Sequence, residues 1–122
     1  VEKIVKFIKN GESVVLLCLG DTSIFASSSN ILRIIKHDYP EIITKTIPGI
    51  SSVSAAAALN DFDLVKKGET LIIKECPSSI SELTSLIRDS RGNKTVLAIM
   101  KVGKRWSLVR ETLKKDLTML HL

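Results

Sequence analysis

The chain has 122 residues, 44% hydrophobic and 25% charged, with 18 Lys and Arg against 13 Asp and Glu. That length holds one ordinary domain or pieces of two, and that balance belongs to a folded chain, not a disordered one. The apolar runs fall far short of the about 18 residues that span a membrane, and the opening stretch is neither a signal peptide nor an anchor.

The net charge of +5 suits an anionic partner or is simply a solvated surface. Aromatic residues, at 4%, leave little from which to build a stacking platform for single strands. Cys18 and Cys76 form neither a metal pattern nor a disulfide framework, so a reduced, cytoplasmic setting is the expectation.

Val1, Ile4, Val5 and Ile8 share one face of an opening helix that ends at Asn10-Gly11. Val14 to Leu19 is an unbroken apolar run, as a strand covered on both faces would be. It stops at Gly20-Asp21-Thr22-Ser23, where three side chains are suited to cap a helix running from Ile24 to about His37. Tyr39-Pro40 closes that helix, because the residue before proline avoids helical dihedrals. Ile42 to Ile47 is rich in β-branched residues and reads as the next strand. It leads through Pro48-Gly49-Ile50-Ser51-Ser52 into an alanine-rich helix, Ala55 to Leu59.

A polar stretch, residues 61–68, reads as a linker between a first part, 1–60, and a second, 69–122. The pattern then restarts with a strand at Thr70 to Lys74 and a helix carrying Ile80, Leu83, Leu86 and Ile87. Ser79 and Glu82 are spaced as a capping box for it. Arg91-Gly92-Asn93 breaks this helix, Thr95 to Met100 makes a strand, and Trp106, Val109 and Leu113 mark a final helix. The fold class is therefore α/β, with mostly parallel strands joined by crossover helices. Two strands in each half cannot cover their helices, so the chain reads as a fragment of a larger two-domain protein.

No dinucleotide-binding glycine pattern, phosphate loop or metal-ligand spacing is present. His37 and His121 read as surface residues, and no nucleophile is paired with a base. No catalytic residue is assigned, and an enzyme of this sequence would work by binding and orienting its reactants. The two turns, Gly20 to Phe25 and Pro48 to Ser52, lie at the carboxyl ends of expected strands, where open α/β sheets bind ligands. Alone, each such turn is more often a structural cap than a site, and their shared location is what points to a pocket.

Together these turns resemble the tetrapyrrole methylase family. Its first motif is a Gly-Asp-Pro-x-x-Phe/Tyr turn after a strand; here Thr22 stands where proline is usual. Its second is a Pro-Gly-Ile-Ser/Thr-Ser/Ala turn before an alanine-rich helix, which Pro48 to Ala58 match closely. Tyr39-Pro40-Glu41-Ile42 and Met100 to Lys104 look most like the precorrin-2 C20-methyltransferase branch.

The resemblance implies the two-domain tetrapyrrole methylase fold, with residues 1–60 ending the first, cofactor-cleft domain and 69–122 beginning the second. It implies S-adenosyl-L-methionine as methyl donor, contacted by Leu19, Gly20, Asp21, Ile24, Ser51, Ser52 and Met100. It also implies a reduced tetrapyrrole substrate, whose carboxylates Lys101 and Lys104 would attract, with Lys66, Lys67 and Arg105 nearby. A homodimer without metal, nucleic acid or membrane partner completes the expectation. The alternatives are another member of that family, acting at a different carbon or on a different substrate, and, from another class, a non-catalytic basic module that binds anions or nucleic acid.

Overall fold

The computed structural model describes residues 1–91 and 94–118. The chain forms two compact units, Val1–Ala56 and Ala57–Leu122. Among the described residues no helix is long and apolar enough to cross a membrane. The break read at Arg91-Gly92-Asn93 lies partly outside the described residues, and His121 wholly so.

The first unit opens with α1 (Glu2–Lys9), whose Val5 is buried. The helix stops where the Asn10 N–H reaches the carbonyls of Lys6 and Phe7, at 3.2 and 3.1 Å. Helix α2 (Ser28–Asp38) buries Ile35, and its last turn carries Lys36 and His37, the sign that suits a helix carboxyl end. The Tyr39 N–H still bonds the Ile35 carbonyl at 2.9 Å, and helical hydrogen bonding ends there, just before Pro40. His37 is exposed, with Nδ1 2.6 Å from Asp38 Oδ1. Helix α3 (Ser52–Leu59) crosses the boundary between the units.

Two expected strands are absent, and so is the early start of α2. Val14 to Cys18 and residues 43–47 carry no strand or helix assignment, and α2 begins at Ser28, not at Ile24. An apolar run becomes a strand only when a neighbour answers its N–H and C=O groups, and neither run has such a ladder among the described residues. The period of two survives without the sheet: Val15, Leu17 and Leu19 are 76%, 94% and 102% exposed, against 37% and 36% for Val14 and Leu16. Ile43 and Ile47 lie bare in the same way. The run expected to be covered on both faces is partly covered on one and bare on the other.

The second unit holds the expected parallel pair. Strands β1 (Thr70–Glu75) and β2 (Thr95–Met100) run in register from Thr70 opposite Thr95 to Glu75 opposite Met100. Parallel neighbours need a crossover, and α4 (Ile80–Ser90) supplies it. Ser79 caps this helix by accepting the Glu82 N–H at 3.2 Å. A 3-10 turn (Gly103–Arg105) leads into α5 (Trp106–Thr118).

Cys76, Leu83, Ile87 and Val109 form the core, backed by Leu97, Ile99, Val102 and Leu108. Leu83 is wholly buried, and burying one leucine contributes about 1.5–3 kcal/mol. Trp106 marks the start of α5 but not its packed face, being 59% exposed. Helical side chains lean toward the amino end, which carries the first residue's indole away from the packed turns.

Candidate functional site

In the first unit the two turns singled out by sequence come together. The Gly49 Cα faces the Gly20 carbonyl so closely that a Cβ at Gly49 would overlap its oxygen and stand 3.7 Å from the Asp21 N. Gly20 itself has φ +82°, and a Cβ there would meet the Ile50 carbonyl at 3.4 Å. Glycine takes the left-handed backbone at Gly20 without the strain a side chain brings, and only glycine permits the approach at Gly49.

Asp21 holds the first turn. Its Oδ1 accepts the Ser23 N–H at 2.6 Å, the Ser23 hydroxyl at 2.5 Å and the Ile24 N–H at 3.2 Å. These donors favour the ionised carboxyl and hold its pKa below the ordinary 3.8, the Ser23 hydroxyl contributing most and the Ser23 N–H next. Asp21 therefore closes a local turn instead of capping α2. All three bonds land on Oδ1, which leaves Oδ2 as the oxygen a ligand can use.

The second turn is held by Ser51, which is buried. Its Oγ accepts the Val53 N–H at 3.2 Å, and its carbonyl accepts the Ala55 N–H at 2.9 Å. Ser51 thus caps α3, while Ser52, the first helical residue, stays exposed. Leu19 and Ile50, one from each turn, are exposed aliphatic side chains, 102% and 72% accessible. Ile24 is half-buried.

A cavity of about 400 Å³ opens between α1, α2 and the two extended runs. Its wall is mainly aliphatic, from Ile4 and Ile8 to Leu32 and Ile35, and it reaches Gly20, Thr22, Pro48 and Gly49 of the turns. Ser28, whose Oγ is buried without a hydrogen-bond partner, also lines it. Asp21, Ser51 and Ser52 do not.

Met100, Lys101 and Lys104 belong to the second unit, where β2 ends. Met100 is half-buried, and the two lysines are exposed. Arg105 is engaged: its Nη1 donates to the carbonyls of Cys76 and Pro77, the latter at 3.3 Å. It is therefore not the solvated cation that its place in a basic cluster suggests. Among the described residues no group of three side chains could hold a metal ion.

Local sequence carried part of this site. The Asp-x-Ser spacing of a self-closing turn was there to be read at Asp21 and Ser23. No local signal marks Arg105, whose acceptors lie 29 and 28 residues away in the chain.

A family model of the tetrapyrrole (corrin/porphyrin) methylases matches residues 1–121. The chain belongs to that family. It is also similar to the cobalamin biosynthesis protein CobIJ of Mycobacterium bovis and of two strains of Mycobacterium tuberculosis. Each is 28% identical over 112 residues, which cover 92% of this chain and 21% of the relative. The chain thus spans about a fifth of the length of the curated relatives it matches. No solved structure gives a significant match.

Proposed function

We propose that the chain is part of an S-adenosylmethionine-dependent methyltransferase acting on carbon of a reduced tetrapyrrole, precorrin-2 or cobalt-precorrin-2, at C20. The observation that carries this reading is the contact of the two motif turns through Gly20 and Gly49. The family match and the similarity to cobalamin biosynthesis proteins support the pathway. Tyr39 to Ile42 and Met100 to Lys104 support the C20 branch. A homodimer in the cytoplasm is part of the same proposal.

The groups at the turns fit such a cofactor by their chemistry. Asp21, whose three donors favour its ionised form, offers a negative charge to a cation. Leu19 and Ile50 offer aliphatic surface, and Ser52 a hydroxyl. Leu19, Gly20, Asp21, Ile24, Ser51, Ser52 and Met100 would hold the cofactor.

The cofactor supplies an activated methyl group on a sulfonium. The chain's part is to hold the reactants in line and exclude water, which suits a site with no base beside a nucleophile. Lys101 and Lys104 would draw in the carboxylates of the substrate through charge, an attraction that weakens as salt rises.

Calorimetric titration of S-adenosylhomocysteine into the chain tests the site. Saturable binding weakened by Asp21→Asn is the expected result, and no binding by this chain or by the full-length protein would overturn the reading. Transfer of labelled methyl to precorrin-2, with the product carbon located by NMR, tests the position.

A further inference from the structure

We infer that Arg105 is a positioning residue, which fixes the turn after Met100 by fastening it to the turn after β1, and so sets the place of Met100, one of the residues proposed to hold the cofactor. The inference rests on the proposed function for its ligand, but the fastening itself is independent of it.

Residues 101–105 follow β2, and Cys76-Pro77 follow β1, so both segments leave the same end of the parallel pair. The first of them contains two left-handed residues: Lys101 has φ +54° and Gly103 +48°. A lysine in that region is strained, and such strain persists only where the surroundings over-determine the backbone. Four bonds do so here. The Cys76 N–H donates to the Met100 carbonyl at 2.8 Å, extending the ladder past the last strand residue. The Arg105 N–H donates to Val102 at 2.9 Å and closes the turn on itself. The half-buried Arg105 guanidinium then ties this turn to the carbonyls of Cys76 and Pro77.

The Cys76 and Pro77 carbonyls lie past the last strand residue of β1, and a cationic donor answering both of them is a strong tie. Cys76 lies in the core at 3% exposure, so the fastening point is rigid. Met100 is the residue just before the fastened turn, and its backbone is fixed from both sides.

Trp106, the sole tryptophan and the residue next to Arg105, reports on the turn by its fluorescence. The test compares the wild-type chain with Arg105→Gln and Arg105→Lys. Trp106 anisotropy is read without ligand, and the affinity for S-adenosylhomocysteine by calorimetry. Thermal unfolding serves as the check on folding.

Arg105→Gln is expected to lower the anisotropy and weaken binding by about tenfold, the order of one charge-assisted hydrogen bond, with the fold retained. Arg105→Lys is expected to recover part of both losses, because an ammonium still reaches one carbonyl. Wild-type anisotropy in a folded Arg105→Gln chain overturns the fastening. Lowered anisotropy with unchanged affinity overturns the positioning role. If the glutamine variant does not fold, the lysine variant decides, and wild-type values for it overturn the inference. Ligand uptake by neither the wild-type chain nor the full-length protein overturns the cofactor reading and the positioning role together, while the anisotropy still judges the fastening.

Discussion

Gly49 leaves no room for a side chain because the carbonyl of Gly20 stands where its Cβ would be. This contact joins the ends of two extended runs that share no ladder of hydrogen bonds. Gly49→Ala is therefore expected to push the two turns apart and to destabilise the first unit by about 1–3 kcal/mol, as overpacking does. Urea unfolding measures it, with Ser54→Ala on the exposed side of α3 as a control expected to stay near wild type. A Gly49→Ala chain as stable as the control would mean that the turns part freely.

The second prediction concerns the acid side of the pH scale. Asp21 has a folded-state pKa below 3.8, so its turn is stabilised at pH values above 3.8, and that stability is lost as pH falls through the folded value. An NMR titration of its carboxyl should show a midpoint under 3.8. In Ser23→Ala the midpoint should move up toward 3.8, because the largest cause of the shift is gone. An unmoved midpoint would show that the backbone donors alone hold the charge.

Two leucines separate the buried from the bare parts of the fold. Leu83→Ala empties a fully buried site in the second unit and is expected to cost about 2–5 kcal/mol. Leu17→Ala removes a side chain 94% exposed and is expected to stay within about 0.5 kcal/mol of wild type. Were Val14 to Leu19 a strand covered on both faces, Leu17→Ala would cost as much as Leu83→Ala. Denaturant midpoints of the two variants decide between these.

Helix caps give a fourth contrast. Ser79 accepts the Glu82 N–H at the start of α4, so Ser79→Ala is expected to cost about 1 kcal/mol. Ser27 stands at the same position before α2 but makes no capping bond with its side chain. Ser27→Ala should leave unfolding unchanged, and an equal loss at both sites would contradict the cap assignment.

Local chemistry by itself determined much of this protein. The period of apolar residues in α1 and α4, the serine three residues before Glu82, the β-branched strands of the second unit and the two motif turns are all written in neighbouring residues. So is the family: Gly20 to Phe25 and Pro48 to Ala58 carry the resemblance, and the family model matches residues 1–121. These features depend on the hydrogen bonds and packing of residues a few positions apart, and they need no distant partner to be read.

What tertiary structure decided is wherever a distant partner is required. The same β-branched and apolar signal made Thr70 to Glu75 a strand and left Val14 to Leu19 an exposed run, because β1 has β2 beside it and the earlier run has no ladder. Gly49 was a turn residue in sequence, and only the fold set it against the Gly20 carbonyl. Arg105 looked like one more surface cation until the parallel pair placed the carbonyls of Cys76 and Pro77 within its reach. A side chain's type limits the bonds it can make, and the approach of a partner remote in sequence selects the one it does make.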